Sequence, residues 1–388
     1  MISVNQALDK LFALVSPLDV EEVPLLQAAG RYLARPVAAM RDQPPFAASA
    51  MDGYAVAGAA PGKSYDVIGE SAAGHGYDGS VGPGQAVRIF TGAPVPDGAD
   101  RIIIQEDVTR SANKIVLNET LDQAIYIRPK GADFSKSSTM DAPRRLGPAD
   151  VALLAAMNVA TVPVRRKPVV ALIATGDELV MPGENPGADQ IIASNTFGLA
   201  AMIDAAGGQS RILPIARDNE PSLRTAFELA QGADLIVTIG GASVGDHDLV
   251  GKVAANLGME QSFYKIAMRP GKPLMAGKIG STAMIGLPGN PVSSMVCGTV
   301  FVQPMLHVML GLPAQQMRRH TAKLAQKIEA NGPREHYMRA RVTDGEITPF
   351  SRQDSSLLSV LGDANALLIR PIKDPARPAG DLVEFIKI

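Results

Sequence analysis

The sequence predicts a multidomain α/β-plus-β protein, in which a central three-layer α/β/α domain with a parallel sheet is joined to a helical part and two β-rich parts. Three observations lead to this prediction. A chain of 388 residues is too long for one simple domain. Apolar strands alternate with helical segments from 167 to about 312, which is typical of a parallel sheet. Short apolar runs between Gly and Pro occupy residues 43–130 and recur after Pro313.

The helical part is predicted from both sides of the first β-rich segment. Apolar residues recur at helical spacing from Val4 to Val15, and Ser3 is a suitable N-cap. A second helical stretch is expected from Leu25 to about Pro36, and helical character returns at 148–157. Because helices lie on either side of a β segment, we expect a discontinuous domain whose two halves pack together.

The remaining elements follow from apolar runs and their breaks. In the α/β region we predict strands over 169–174, 212–216 and 234–239, with helices over 196–206 and 223–230. The last section is predicted as a small β-barrel or sandwich with strands at 337–342, 366–369 and 382–388. The predicted domains are a helical linking domain of 1–42 with 139–166, a β-rich insert of 43–138, an α/β domain of 167–314 and a C-terminal β-barrel of 315–388.

Composition excludes several classes of function. The formal charge of −2 argues against an electrostatic nucleic-acid binder, and 4% aromatic residues without tryptophan disfavour binding by base stacking. The single cysteine, Cys297, cannot form an internal disulfide, which fits a reducing cytoplasm. We see no signal peptide and no uninterrupted apolar run of about 20 residues. We therefore expect a cytoplasmic protein that binds neither nucleic acid nor membrane.

The most informative motif is Thr175-Gly176-Asp177-Glu178-Leu179, directly after the apolar run Val169–Ala174. In open α/β sheets, ligands bind beyond the carboxyl ends of strands. Two acids at that place suit a hard cation such as Mg²⁺, which suits a phosphate-bearing substrate. A helix N-terminus also favours Asp and Glu, so this motif alone leaves both interpretations open.

Three further motifs predict one anion-binding cleft. Gly240 and Gly241 end a second strand, where backbone N–H groups can approach an anion, and Asp248 follows. If the two strands are neighbours, Asp248 and Glu178 would flank one metal ion. The turn 269–273 carries Arg269 and Lys272, which suit an oxyanion, although an ordinary surface turn would look similar. In the stretch 286–293, Asn290 is a predicted N-cap and Pro291 the first helical residue, so free N–H groups would face the cleft.

The insert carries acids whose local context is less specific. Asp52 lies in the stretch 49–56, where an Asp-Gly pair is commonest in a hairpin turn. The same interpretation holds for Thr91 in the stretch 90–96 and for Asp133 in the stretch 130–133. These residues alone predict turns.

Together the motifs resemble the molybdopterin molybdenumtransferase (MoeA-type) family, which is related to the gephyrin E domain, over essentially the whole chain. The resemblance rests on segments that occur in the family's order. They are SAMDGYA at 49–55, TGAPVP at 91–96, TGDEL at 175–179, GLPGNPVS at 286–293, and the C-terminal AN at 364–365 and AGDLV at 379–383.

The resemblance implies that adenylyl-molybdopterin and molybdate react to give the molybdenum cofactor and AMP, with Mg²⁺ involved. It implies a homodimer, held in part by the linking domain, whose cleft lies between the α/β domain of one subunit and the insert and C-terminal domains of the other. A molybdopterin adenylyltransferase that supplies the substrate is an expected partner. Glu178 and Asp248 would be metal ligands. The implied catalytic residues are Asp52, Asp133, Glu178 and Asp248. The implied substrate-binding residues are Thr91, Thr175, Gly176, Asp177, Ser194, Asn195, Asp218, Gly240, Gly241, Ser243, Gly245, Arg269, Pro270, Gly271, Lys272, Pro288, Gly289, Asn290, Pro291 and Ser293.

Two other functions remain open at this point. The α/β part is similar to competence-damage proteins, which suggests a nucleotide or pterin hydrolase, but the insert and the C-terminal domain argue against it. A gephyrin-like scaffold would bind a receptor peptide. Scaffolding would not require acids and cations at every strand end.

Overall fold

The centre of the molecule is a six-stranded sheet. A computed structural model of the chain describes residues 1–241 and 249–388. Five strands run in one direction, and Met275–Ile279 runs antiparallel between its two neighbours. The parallel βαβ arrangement is therefore confirmed, with one reversed strand added near an edge. The strand order across the sheet is Gln209–Ile212, Val169–Ala174, Leu235–Ile239, Thr282–Leu287, Met275–Ile279 and Met259–Tyr264.

Helices cover both faces of this sheet and complete three layers. One face packs against Asn195–Ala205 and the long helix that begins at Pro291, and the other against Glu220–Leu229 and Leu249–Asn256. The long helix consists of Pro291–Cys297, a π-helical turn Gly298–Val302 and Gln303–Met309. Its length and mean hydropathy of 1.4 would suit a membrane span, but 83% of its most apolar window is buried inside the protein, as in a core helix.

Two predicted elements differ from the structure. The strand expected at 212–216 lies at Gln209–Ile212, because its register is set by parallel pairing with Val169–Leu172. The second helical stretch expected from Leu25 was wrong. Val20–Pro24 is a strand paired with Thr161–Arg165, and Leu25–Gln27 is a single 3₁₀ turn. Pairing between distant segments overrode local helical spacing here.

The first helix, Val4–Phe12, lies on the α/β domain. Ser3 caps it as predicted, and Gln6 completes a capping box by accepting from the Ser3 N–H. Its buried face joins the core of the central sheet, and among the described residues none of its buried side chains belongs to the core of the rest of the predicted linking domain. That remainder has its own core beneath the helix Pro148–Ala156 and a sheet of four short strands, three of which bury side chains in it, whereas both residues of the fourth, Arg144–Arg145, are exposed. These strands are Val20–Pro24, Thr161–Arg165, Tyr32–Leu33 and Arg144–Arg145.

The insert is built from β-strands, as its Gly- and Pro-rich sequence indicates. Its six-stranded sheet has buried clusters of its own. Val37–Ala38 with Thr139–Met140 and Ala48–Ser49 with Ile127–Arg128 form short two-stranded pairs beside it. The strand order of the sheet is Arg101–Ile104, Gly53–Val56, Gln85–Ile89, Ser64–Ser71, Lys114–Leu117 and Val108–Ser111.

The C-terminal part is a closed five-stranded barrel. Glu335–Thr343 pairs on both sides, so the sheet returns to its first strand. The short helix Leu358–Asp363 precedes the fourth strand in sequence. Met268–Arg269 of the α/β part adds a sixth strand to the outside of the barrel, parallel to Glu335–His336. The barrel order is Glu335–Thr343, Glu346–Pro349, Arg319–Leu324, Leu382–Lys387 and Ala366–Arg370.

Together these parts confirm the predicted fold class, a multidomain α/β-plus-β chain with a central three-layer domain and a C-terminal barrel. The domain limits at 42, 138, 166 and 314 stay a prediction.

Candidate functional site

A cavity of about 860 Å³ lies at the carboxyl ends of the central strands. The three strand ends predicted to share a cleft do line it together. Cavity residues also come from the start of the helix Asn195–Ala205, from Asp218 and from Ser356 of the C-terminal part. Of the predicted site residues, those that line the cavity are Thr175, Gly176, Glu178, Ser194, Asn195, Asp218, Gly240, Gly241, Pro288, Gly289, Asn290 and Pro291.

The motif at 175–179 forms a turn and then a short strand. Leu179–Val180 pairs in parallel with Ile191–Ile192, so the helix-start interpretation of the two acids was wrong. Glu178 is exposed and faces the cavity. Across residues 1–241 and 249–388, no hydrogen bond or ion pair holds its carboxylate. This carboxylate is therefore free to meet a ligand.

Arg217 holds the turn that carries Glu178. One nitrogen of its guanidinium, Nη1, donates to the carbonyl oxygens of Asp177 at 3.0 Å and Leu179 at 3.2 Å, and lies 3.5 Å from that of Gly176. The Asp177 carboxylate accepts the Asp218 N–H at 3.1 Å. Asp177 thus joins the two loops, while Glu178 and Asp218 face the cavity. Sequence reasoning missed Arg217; its place one residue before Asp218, in the loop after the edge strand Gln209–Ile212, is the available signal.

Thr175 carries a buried hydroxyl without a partner. The residue is 4% exposed, and its Oγ1 has no hydrogen-bond partner among residues 1–241 and 249–388. A Cβ atom at Gly240 or Gly241 would come within 3.1 or 2.9 Å of this oxygen. Both glycines have positive φ, 93° and 63°. Glycine is therefore required for the strand end to approach Thr175, and the unpaired hydroxyl marks a place where a ligand oxygen would be stabilised.

The turn 288–291 ends a strand and begins the long helix. Asn290 is at the N-cap position, as predicted, but its side chain makes no capping bond. Ser294 Oγ donates to the Pro288 carbonyl at 2.5 Å, and Asn195 Nδ2 donates to the Gly289 carbonyl at 2.7 Å. These bonds fix the turn against the start of the neighbouring helix. Ser293 is buried and does not line the cavity.

A loop of the C-terminal part, residues 353–357, closes one side of the cavity. The Ser355 carbonyl accepts the Val292 N–H at 3.0 Å, and Ser356 lines the cavity. Arg339 is 1% exposed and holds this loop by donating to the carbonyls of Asp354 at 2.9 Å and Leu357 at 3.3 Å. Burial lowers the pKa of Arg339 from its usual value. Sequence reasoning missed Arg339 and Ser356, because their contacts join segments far apart in the chain.

The basic turn lies beside the cavity, between the α/β part and the barrel. Arg269 and Lys272 are exposed, and Pro273 lines the cavity. A Cβ at Gly271, where φ is 110°, would come within 2.5 Å of Cys297 Sγ, so this turn packs tightly on the long helix. Arg269 pairs with His336. Burial, and after it the nearby arginines including Arg269, lower the pKa of His336 to about 4. The His336 imidazole is therefore neutral at neutral pH, and the positive charge at this place comes from the arginines around it.

The acids of the insert lie outside this cavity. Asp52 Oδ1 accepts both the N–H and the hydroxyl of Thr91, each at 2.8 Å. These bonds, the backbone bond first, lower the pKa of Asp52. Asp133 is exposed and lies in a turn, and its own backbone N–H donates to the Gln43 carbonyl. Within one chain, Asp52, Thr91 and Asp133 are not brought together with Glu178.

Three predicted site residues, Ser243, Gly245 and Asp248, lie outside the described residues. Within the described part of the chain, no group of three or more His, Cys, Asp or Glu side chains is placed to hold a metal ion. The metal pair predicted from Glu178 and Asp248 therefore stays a prediction.

Comparisons with known proteins agree along the whole chain. Residues 2–158 match the MoeA N-terminal region (domain I and II), 171–308 match a probable molybdopterin binding domain, and 321–388 match the MoeA C-terminal region (domain IV). A molybdopterin molybdenumtransferase of Nostoc sp. is 34% identical, covering 100% of this chain and 94% of the relative. One from Bacillus subtilis is 30% identical at the same coverage. A crystal structure of the molybdopterin biosynthesis MoeA protein from Pyrococcus horikoshii has a TM-score of 0.84 at 31% identity, covering 100% and 99% of the two chains.

Proposed function

The chain belongs to the MoeA family, and from this premise we propose that it is a molybdopterin molybdenumtransferase that inserts molybdenum in cofactor biosynthesis. Its substrates are adenylyl-molybdopterin and molybdate, and its products are the molybdenum-loaded cofactor and AMP. Relatives named for this activity match the chain from end to end at 30–34% identity.

One observation carries the proposal to the level of the site. The cavity brings the unpartnered Thr175 hydroxyl, the backbone of Gly240 and Gly241, and the start of the helix at Pro291 to one place. Backbone N–H groups at glycine turns and helix N-termini bind phosphate oxygens. Here the N–H groups of Gly240 and Val292 already donate to the carbonyls of Leu287 and Ser355, and Pro291 has none, so the Thr175 hydroxyl and the other backbone groups of these turns would make the contacts. We assign the phosphate groups of the adenylylated substrate to this wall of the cavity.

The acids that face the cavity fit Mg²⁺. Magnesium is commonly held by one or two carboxylates together with substrate phosphates, so a complete protein cage is not required. Glu178 and Asp218 are the exposed carboxylates of the described residues that line the cavity, and they would hold the ion. A bound Mg²⁺ would neutralise the developing charge on the phosphates.

The remaining residues bring two anions together. Arg269 and Lys272 lie next to the cavity and offset the charge of molybdate as it approaches the substrate. Glu178 faces the cavity on a turn fixed by Arg217. A covalent step through Cys297 is disfavoured, because the thiol is fully buried and burial raises its pKa. The chain therefore orients two substrates and stabilises charge.

We infer that the active form is a homodimer, in which the insert of one subunit completes the cavity of the other. Asp52 and Thr91 lie outside the cavity of their own chain, which supports this arrangement. This arrangement is tested by mixing subunits that carry Asp52→Ala with subunits that carry Glu178→Gln and measuring activity. In a mixed dimer one cleft carries both changes and the other carries none, so activity should return to about a quarter of the parent's in a random mixture. Activity no higher than the sum of the two separate variants would contradict shared clefts.

The activity itself is tested by supplying the purified chain with adenylyl-molybdopterin, molybdate and Mg²⁺ and measuring AMP. Release should require all three, and reactions without molybdate or with a chelator are the controls. No AMP release in the complete mixture would overturn the transferase proposal. A cytoplasmic location and substrate transfer from a molybdopterin adenylyltransferase are further parts of the proposal, testable by fractionation and by co-purification with that enzyme.

A further inference from the structure

Two exposed isoleucines border the cavity at the ends of the central strands. Ile191 is 58% exposed and Ile192 is 38% exposed, and both border the cavity. Neither belongs to a hydrophobic cluster of the described residues. An exposed apolar pair at a ligand cavity is unfavourable in water and gains free energy when a ligand covers it.

The pair is held in a fixed place beside Glu178. The Ile191 N–H donates to the Glu178 carbonyl at 2.8 Å, and the Ala193 N–H donates to the Val180 carbonyl at 2.9 Å. The partner strand, Leu179–Val180, follows the turn that Arg217 holds. The isoleucines are thus attached to the same framework as the acid that faces the cavity, so their position is coupled to that of the reacting groups.

We propose that Ile191, which is paired with the cavity-lining Leu179 and flanked by Ile192 in its strand, forms the surface on which a planar heteroaromatic ring of the substrate lies. This inference rests on the proposed function, since adenylyl-molybdopterin carries two such rings, an adenine and a pterin. The glycine turns and the helix start offer hydrogen bonds to phosphates, whereas the isoleucines offer apolar contact to a ring face. The cavity therefore separates the recognition of charge from the recognition of ring shape.

The test compares ring-bearing and ring-free probes by calorimetry. AMP represents the adenine, 6-hydroxymethylpterin represents the pterin, and ribose 5-phosphate represents the phosphate without a ring. The double variant Ile191→Asn with Ile192→Asn should weaken either AMP or the pterin by about tenfold, because the apolar contact is lost. Ribose 5-phosphate should change less than twofold. The probe that weakens identifies which ring lies on the pair.

A matched control is Leu229→Asn, which changes an apolar residue that is 49% exposed but lies on a helix away from the cavity. It should leave all three affinities unchanged. Equal binding of both ring probes by the parent and the double variant would overturn this inference alone. Equal weakening of ribose 5-phosphate would overturn it as well, since the effect would not depend on a ring. If the parent binds no probe but releases AMP from the complete mixture, this inference is overturned and the proposed function stands. No binding together with no AMP release would overturn both.

Discussion

The insert and the α/β domain each present a threonine and an acid in a tight loop, but the two pairs make opposite contacts. In the insert, Asp52 accepts two hydrogen bonds from Thr91, and its pKa is lowered by them. In the α/β domain, neither the Thr175 hydroxyl nor the Glu178 carboxylate has a hydrogen-bond partner within the part of the chain that the structure describes. Similar residue types thus serve to close a turn in one region and face a cavity in the other.

The bonded Thr91 hydroxyl contributes to stability, whereas the Thr175 hydroxyl, unbonded among the described residues, is available for binding. A bonded hydroxyl contributes to folding, whereas a buried unpartnered hydroxyl costs free energy until a ligand satisfies it. We therefore expect loss of the Thr91 hydroxyl to lower the stability of the insert, and changes at Thr175 or Glu178 to lower activity. The Asp52 carboxylate itself has a second role in the proposed dimer, where it completes the partner's cavity. Each of the following predictions tests that division.

The largest effect is expected for Glu178→Gln. It should lower AMP release by about 100-fold, because a carboxylate that faces the reacting anions and their metal is lost. The melting temperature should stay within about 1 °C, since no hydrogen bond to the described residues is broken. Asp189→Asn changes an exposed acid in the connection between Leu179–Val180 and Ile191–Ile192 that does not line the cavity; it is the control and should keep full activity. A variant that melts lower yet reacts normally would reverse the comparison.

Arg217→Ala should lower kcat by about tenfold, because the turn that places Glu178 loses its hydrogen bonds to Arg217. Arg217→Lys keeps one donor and should recover part of the loss. Steady-state kinetics with both substrates would show the effect on kcat and a smaller one on KM. Wild-type kcat in both variants would mean that the turn holds its shape without Arg217.

Thr175→Val should weaken the binding of AMP by about fivefold, because one hydrogen bond to the ligand is lost. The unliganded protein should be as stable as the parent or more so, since the buried hydroxyl has no partner to lose. Calorimetric titration and thermal unfolding measure the two quantities. A lower melting temperature would show that the hydroxyl is satisfied in the folded protein.

The smallest effect is expected for Thr91→Val, which should lower the melting temperature of the insert by about 2 °C at neutral pH. Folding lowers the pKa of Asp52, so its contribution to stability is present above the unfolded value of about 3.9. That contribution is lost as the pH falls through the folded pKa. The gap between variant and parent should therefore close in acid, as thermal scans at several pH values would show. A gap that stays constant with pH would exclude the Asp52 carboxylate as its cause.

The sequence was sufficient to predict the main framework of the site. Apolar runs that end in Gly, Thr or Asp located the strand ends at 175, 240 and 288, and parallel strands necessarily bring such ends to one edge. Their meeting in one cavity is confirmed. The N-cap at Ser3 was also predicted, because capping depends on neighbours three residues away.

The features that were missed depend on contacts between distant segments. Arg217 bonds to carbonyls about 40 residues earlier in the chain, and Arg339 bonds to carbonyls 15 and 18 residues later. Backbone carbonyls are present at every residue, so no residue type marks their positions. The expected helix from Leu25 failed for a related reason, because strand pairing with residues 161–165 decided that segment.

The pairing of Met268–Arg269 with the barrel has a mechanical consequence. Tyr337, Leu367 and Ile386 of the barrel share one continuous core with the central sheet and the first helix, whereas the insert has separate cores. The barrel and the α/β domain therefore form one cooperative unit in which strain is shared. A perturbation of the last strand, Leu382–Lys387, would be transmitted through the barrel wall to Arg269. The last strand of the chain thus supports, through strand pairing across the barrel, the basic turn that lies more than 100 residues before it.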